Sequence, residues 1–70
     1  MEGEFATWLQ AQLVQRGWRP ADLARKTGLA ESTISRILSG TRGAGRDAAV
    51  AIAQALKVSE VVVLYQAGFL

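Results

Sequence analysis

The sequence contains no cysteine and no histidine, and Pro20 is its only proline. Without cysteine the chain forms no disulfide, and without either residue it lacks the usual ligands of zinc. It also has no apolar run of about 18 residues, the length that a membrane-spanning helix needs. Glu2 and Glu4 stand where a secretory signal peptide would carry basic residues. We therefore expect a cytoplasmic protein with no membrane association, no metal and no cofactor.

Residues that carry catalysis are equally scarce. Without histidine or cysteine, an enzyme would depend on paired carboxylates or on an activated serine. Asp22, Glu31 and the serines have no evident orienting partner along the sequence. The sequence therefore predicts no catalytic residue and no enzymatic activity.

Half of the 70 residues are apolar, and many of these are alanine, which favours packed helices over sheets. A chain of this length suffices for one domain, so we predict a single domain over 1–70. Apolar spacing, proline and glycine predict five helices. The first runs through Phe5–Leu13 and ends near Arg16 and Gly17, and a short second one runs from Pro20 to Gly28. The third covers 31–38, the fourth covers 47–56, and the fifth follows Ser59. Val61, Val62 and Val63 favour a strand by propensity, but a lone strand would have no partner. The expected fold class is all-α, a compact five-helix bundle.

Positive charge is concentrated in the middle of the chain. Seven of the eight lysines and arginines lie between residues 16 and 46, where only Asp22 and Glu31 oppose them. The flanking segments are slightly acidic. Such asymmetry is typical of a surface that binds a polyanion, although on charge alone an ordinary solvated surface is equally consistent.

Residues 20–40 meet the geometric needs of a helix-turn-helix. Gly28 allows the positive φ angle that a sharp turn between two helices requires. Ala24 is small enough for the second helix to cross it closely, and Leu29 and Ile34 fill the inside of the corner. The fourth helix is expected to face the core with Val50, Ala53 and Leu56, with Ile52 beside them.

The same segment resembles the phage repressor and Cro-type (XRE) helix-turn-helix proteins. The pattern L-A-x-x-x-G-L-x-x-x-x-I-S-x-x-L-x-G is matched from Leu23 to Gly40, and IAQALKVS over 52–59 is similar to that family's fourth helix and exit turn. The resemblance implies a five-helix fold that binds duplex DNA, with the third helix in the major groove.

The sequence departs from that family at three places. Arg19 and Pro20 replace the polar N-cap and the glutamine that usually contacts the DNA backbone, so Arg19 is a substitute candidate. Leu13 and Leu38 occupy the positions of a common buried arginine–glutamate pair, and an apolar pair there can be as stable. The loop GTRGAG, 40–45, is about one residue longer than the family's usual loop.

If Ile34, Ile37 and Leu38 face the core, the third helix exposes hydroxyls and one arginine. The residues expected to read base edges are Glu31, Ser32, Thr33, Ser35 and Arg36. Arg36 is the first candidate for a base contact, because a guanidinium can bind guanine O6 and N7 together. The alternative is that Arg36 only lies on a solvated face and contacts no base. Glu31 has two interpretations. Either it accepts a hydrogen bond from cytosine, or its negative charge only stabilises the first turn of the helix through the helix dipole.

Phosphate contacts are expected around the rim of this helix, from Arg19, Lys26, Ser39, Thr41, Arg42 and Arg46. GTRGAG lacks the Gly-Lys-Ser/Thr ending of a nucleotide-binding P-loop. Trp8 and Trp18 are expected in the core.

The apolar C-terminal segment exceeds what a small core can hold. Val62, Tyr65, Phe69 and Leu70 are therefore expected to form a symmetric homodimer, which would place two recognition helices on a palindromic operator. The alternative is a monomer in which the tail folds back on Phe5 and Leu9. The leading functional hypothesis is a sequence-specific transcriptional repressor or regulator. The other is a module whose partner is a protein, such as an antitoxin subunit or an adaptor.

Overall fold

The computed structural model describes residues 2–70, so Met1, the first residue of the predicted domain, lies outside the described part. This part contains α1 (Glu2–Arg16), α2 (Pro20–Thr27), α3 (Glu31–Ser39), α4 (Arg46–Leu56) and α5 (Glu60–Gln66), and no strand. The prediction of an all-α, five-helix fold is confirmed. α1 begins before the first predicted apolar residue, and α3 and α4 are each one residue longer than predicted.

The core is built from aliphatic side chains and alanine. No polar or charged residue is buried among the residues with described side chains. The largest fully buried side chains are Leu9, Leu23, Ile34, Ile37, Ile52 and Val63. Since every one of these is apolar, hydrophobic burial and close packing hold the helices in place.

α4 packs against both α2 and α5. Its buried residues are Ala49, Ile52, Ala53 and Leu56, which follow the i, i+3, i+4, i+7 spacing of one helical face. The prediction that Val50 faces inward, with Ile52 beside it, was wrong in part. Ile52 is fully buried and Val50 only half-buried, because the stripe facing α2 and α5 is centred on Ile52.

The three successive valines lie in a helix, as predicted. α5 is capped by Ser59, whose hydroxyl accepts a hydrogen bond from the Val61 backbone N–H at 3.2 Å. Only Val63 is buried, whereas Val61 and Val62 remain exposed. The β-propensity of the run is thus overridden by the cap and by the burial of one valine.

Four of the five helices end in the same backbone motif, in which a left-handed residue turns the chain and the next N–H reaches back to a carbonyl five residues earlier. These bonds run from Trp18 to Leu13, Thr41 to Arg36, Val58 to Ala53 and Phe69 to Leu64, at 2.9–3.1 Å. The left-handed residue at the end of α4 is Lys57, with φ +58°; it is the only non-glycine residue with positive φ in the described chain.

The turn between α2 and α3 has the predicted geometry. Gly28 has φ +77° and its N–H donates to the Ala24 carbonyl at 2.9 Å. The Leu29 N–H donates to the Thr27 hydroxyl, which itself donates to the Leu23 carbonyl at 2.8 Å. These local bonds fix the angle at which α3 leaves α2.

The C-terminal end of α3 is fixed on α1. Leu13 and Leu38 are both buried in the core, where the family often has an ion pair. Next to them the Gln10 side-chain amide donates to the Leu38 carbonyl at 2.6 Å. α3 is therefore held at one end by the turn from α2 and at the other by α1.

Both tryptophans lie at the edge of the core, so the prediction that they are core residues was right only in part. Trp8 is half-buried and stacks on Phe5, with ring centroids 5.7 Å apart. Trp18 is half-buried because it follows the end of α1, where its ring faces two cations.

Candidate nucleic-acid interface

α3 presents two chemically different faces. Ile34, Ile37 and Leu38 are buried against the bundle. The exposed residues are Glu31, Ser32, Ser35, Arg36 and Ser39, and Thr33 is half-buried at the margin. The predicted base-reading residues other than Thr33 therefore share the exposed side of one helix. The structure brings them together as a single polar strip.

Arg36 is the cation of this strip. Within residues 4–70 its guanidinium has neither a hydrogen-bond nor an ion-pair partner, and its side chain is exposed. Its backbone carbonyl, in contrast, accepts from the Thr41 N–H at 3.1 Å and from the Ser39 hydroxyl at 3.0 Å. The backbone of Arg36 is thus fixed while its charged group is available to a ligand.

Ser39 and Thr41 close the end of α3. Their hydroxyl oxygens lie 3.0 Å apart, and the Thr41 hydroxyl also donates to the Arg36 carbonyl at 3.3 Å. Both side chains are exposed. The two predicted phosphate-binding hydroxyls therefore also stabilise the helix end, a role that the sequence reasoning did not assign to them.

Asp22 lies in the first turn of α2 and has partners that the sequence did not reveal. Its carboxylate accepts the Arg19 backbone N–H at 2.8 Å and a hydrogen bond from the Arg25 guanidinium, also at 2.8 Å. The prediction that Asp22 lacks an orienting partner was wrong. Asp22 is the third residue of α2, from where its side chain reaches back to the N-cap backbone N–H, as in a capping box. The backbone bond first, and the Arg25 bond second, lower the pKa of Asp22 from its ordinary value of 3.8.

The remaining basic side chains differ in their neighbours. Arg19 is exposed, with its Nε 4.0 Å from Asp22. Lys26 Nζ lies 4.8 Å from the centre of the Trp18 ring, and the Arg46 guanidinium lies 5.2 Å from that of Phe69. In the described chain Arg42 has no side-chain partner and is exposed. Within residues 4–70, the cations without an aromatic or acidic neighbour are thus Arg36, Arg42 and Lys57, and only the first two belong to the predicted DNA-binding set.

A family model described as Helix-turn-helix matches residues 9–63 of the chain. The chain belongs to the XRE-type helix-turn-helix family. The resemblance noted from Leu23–Gly40 is thereby confirmed. The family is one of DNA-binding transcription regulators and is not typically enzymatic. Comparisons with curated proteins and with solved structures gave no match.

Arg16 was missed as a structural residue of this helix-turn-helix domain. Its guanidinium donates to the Gln12 backbone and side-chain oxygens and to the Leu56 carbonyl at 3.2 Å. It also lies 5.8 Å from the Trp18 ring centre. Arg16 therefore ties the end of α1 to the end of α4. Its position in the last turn of α1 was visible in the sequence, but the Leu56 carbonyl becomes adjacent only in the fold.

The C-terminal apolar residues of the domain are exposed. The exposed fractions are 44% for Val62, 66% for Tyr65, 38% for Phe69 and 64% for Leu70, and Val61, which was not predicted here, is exposed as well. α5 does pack on α1, and Tyr65 and Leu70 line an open groove of about 570 Å³ together with Phe5. The four predicted residues nevertheless leave much of their surface uncovered in one copy of the chain.

Neither a metal-binding group nor a membrane span is present in the described part of the domain. Among the side chains of residues 4–70, no three acidic groups lie close enough together to hold an ion. No helix among residues 2–70 has the length and apolarity that would let it cross a membrane.

Proposed function

We propose that this domain reads a specific sequence of duplex DNA and acts as a transcriptional repressor or regulator, with α3 in the major groove. The observation that carries the proposal is the polarity of α3. One side is buried through Ile34 and Ile37, and the other exposes hydroxyls and the unpaired Arg36. A helix that is anchored on one side and free on the other can enter a groove about 12 Å wide without unfolding.

Base reading is assigned to the exposed strip of α3. Arg36 binds a guanine through O6 and N7, because its guanidinium is unpaired and its backbone is held by Thr41. The contributing contacts come from Glu31, Ser32, Thr33 and Ser35. Small hydroxyls allow the helix to approach the base edges closely, and they accept or donate hydrogen bonds to several bases.

Phosphate binding is assigned to the residues around this strip. Arg42 is the first candidate for a phosphate contact, because it is exposed, lies in the loop that follows α3 and has no side-chain partner in the described chain. The other members of the set are Arg19, Lys26, Ser39, Thr41 and Arg46. Such contacts fix the register of the protein on the duplex and carry no sequence information.

The proposed active form is a homodimer on a palindromic operator. A single α3 reads only a few base pairs, whereas two copies about 34–36 Å apart read two half-sites on one side of the duplex. The exposed side chains of Val62, Tyr65, Phe69 and Leu70 provide a self-complementary apolar surface for this assembly.

Selection from random duplexes followed by sequencing tests this proposal. We expect a recovered palindrome whose half-sites contain a guanine at a fixed position. A pool that stays random after selection would contradict sequence-specific reading, and a single unrepeated motif would contradict the dimer.

The recovered site then distinguishes two exposed arginines. Arg36→Ala should weaken binding to the selected site by about 1–3 kcal/mol and binding to unrelated DNA only slightly, because it removes a base contact. Arg42→Ala, the matched control, should weaken both by similar factors. Equal losses on both duplexes for Arg36→Ala would show that Arg36 binds phosphate. Both affinities are measured by fluorescence anisotropy.

A second candidate function is a protein-interaction module, such as an antitoxin subunit or an adaptor. It is favoured by the exposed apolar side chains of Val61, Tyr65 and Leu70. Such a surface can bind a different protein as well as it binds a second copy of this chain. The two candidates are separated by duplex binding at low salt. A protein that binds no duplex but forms a stoichiometric complex with one other protein belongs to the second.

A further inference from the structure

Phe69 lies next to one of the proposed phosphate-binding residues. The guanidinium carbon of Arg46 is 5.2 Å from the centre of the Phe69 ring, within the range of a cation–π interaction. Arg46 is the first residue of α4 and is exposed, and no carboxylate pairs with it within the described residues. Within residues 4–70, the interaction of the Arg46 guanidinium is therefore with this aromatic ring.

The position of Phe69 is set by backbone bonds. Gly68 has φ +89°, which reverses the chain after α5. The Phe69 N–H then donates to the Leu64 carbonyl at 2.9 Å, and the Gly68 N–H donates to the Tyr65 carbonyl at 3.1 Å. This pair of bonds is the Schellman motif, which places the residue after the glycine back over the helix. Phe69 is thus as firmly placed as the end of α5 itself.

We propose that Phe69 is a positioning residue that holds the Arg46 guanidinium ready for a DNA phosphate. The proposal rests on the proposed function, since it names the device that orients one of its phosphate contacts. It connects the chain just after the C-terminal end of α5 with the N-terminal end of α4, the far ends of two consecutive helices.

The chemistry of the two groups favours a Phe69 ring that orients the Arg46 guanidinium over one that hides it from DNA. A guanidinium carries five N–H donors, and a phenyl ring has no oxygen or nitrogen acceptor to occupy them, so these donors stay free for phosphate oxygens. A free arginine side chain loses rotamer entropy when it binds, whereas one already held against a ring loses less. The ring is also neutral, so it does not compete with phosphate for the charge, as a carboxylate would.

A double-mutant cycle tests this role on a labelled mixed-sequence duplex, because phosphate contacts do not depend on sequence. Phe69→Leu keeps an apolar side chain but removes the ring, and it should weaken binding about two- to fivefold at low salt. Phe69→Tyr keeps the ring and should bind like the wild type. In an Arg46→Ala background, Phe69→Leu should have no further effect.

The matched control is an Arg42→Ala background. Arg42 is exposed in the loop that precedes α4, and within residues 4–70 the cation that faces Phe69 is Arg46, so Phe69→Leu should keep its full effect there. Circular dichroism and sedimentation velocity on each variant verify that folding and assembly are unchanged at the assay concentration.

Three results would overturn the inference. An equal loss from Phe69→Leu with and without Arg46 would show that the ring acts on stability or assembly. A gain in affinity would show that Phe69 withholds Arg46 from DNA. A Phe69→Tyr variant as weak as Phe69→Leu would exclude the aromatic contact as the cause. If the wild type itself binds no duplex, the proposed function fails and the inference fails with it.

Discussion

At the scale of single residues, the cations of this domain are distinguished by what lies beside them. Arg25 is paired with Asp22, Arg16 is bonded to carbonyl oxygens, and Lys26 and Arg46 face aromatic rings. Formal charge alone would treat all of them as equal contributors to a basic surface. The neighbours separate cations that stabilise the fold from those available to phosphate, since a paired cation must first lose its partner.

Lys57 is the residue at which the backbone is strained. An L-residue in the left-handed region costs about 1–2 kcal/mol, which glycine avoids. Glycine also raises the entropy of the unfolded chain, so we expect Lys57→Gly to stabilise the domain by a net of about 0.5–1 kcal/mol. Thermal unfolding should show a rise in Tm of a few degrees.

Two variants control for this effect. Lys57→Gln removes the charge but keeps the backbone strain, so it should leave the Tm nearly unchanged. Gly28→Ala is the converse change at φ +77°, where a Cβ would meet no atom within 4 Å, so its destabilisation would come from the backbone angle alone. A Lys57→Gly variant no more stable than Lys57→Gln would contradict the argument.

At this scale, the sequence predicts well the residues whose role is local. Gly28 was expected at a positive φ because the turn demands it, and Arg36 was placed on the exposed side of α3 by spacing alone. The partners of Asp22 were not predicted, because the N–H of Arg19 needs an acceptor only once α2 has formed. The bond between Asp22 and Arg25, in contrast, follows the three-residue spacing of neighbours on a helix, so it could have been predicted from the sequence.

At the scale of elements, α2 carries a pH-sensitive contact. The pKa of Asp22 is lowered in the folded state, so the unfolded chain binds more protons in acid. The stabilisation that Asp22 provides is therefore complete above its unfolded pKa. It is lost as the pH falls from about 4 through the lower, folded value.

Asp22→Asn should consequently be less stable than the wild type near neutral pH, and the difference should shrink as the pH approaches 2. Urea unfolding at a series of pH values measures this. Arg25→Gln is the control, since it leaves the larger cause, the Arg19 N–H bond, in place and should retain most of the acid dependence. A difference between Asp22→Asn and the wild type that does not vary with pH would contradict the assignment.

The bounds of the helices were predictable to within a residue or a turn because glycine, proline and the Ser59 cap mark their ends locally. The side of α4 that is buried could not be predicted in the same way. Val50 and Ile52 are both apolar, so the sequence offers no local signal for which of them faces inward. That choice is made by the directions from which α2 and α5 approach α4.

At the scale of the whole molecule, the unpaired apolar surface at the end of the chain is the feature that favours assembly. Val62→Glu should convert the proposed homodimer to a monomer, because burying an unpaired carboxylate in an apolar interface is strongly unfavourable. Tyr65→Glu should do the same. Sedimentation velocity at matched concentrations measures the change.

Val14→Glu is the matched control for this experiment. Val14 is 80% exposed on α1, outside the proposed interface, so the same substitution there should leave the sedimentation coefficient unchanged. A wild-type protein that sediments as a monomer, or a Val62→Glu variant that remains dimeric, would contradict the interface.

Contacts between distant segments were the least predictable. Phe69 was expected at the C-terminal surface and Arg46 among the phosphate contacts, but nothing in the sequence joins residues at opposite ends of two helices. Their proximity arises because α4 and α5 pack against each other and the chain reverses after Gly68. Such pairs depend on the completed fold and leave no periodic signal.

The apolar interior formed by residues 4–70 has a consequence for how binding responds to ionic strength. Counterions screen charges near the surface, yet the side chains of Leu13, Ile34 and Leu38, on which α3 rests, carry none. Adding salt should therefore weaken the attachment to a polyanion without loosening the element that makes it. The dependence of affinity on salt should then report the number of phosphates neutralised, with no contribution from a loosening of α3.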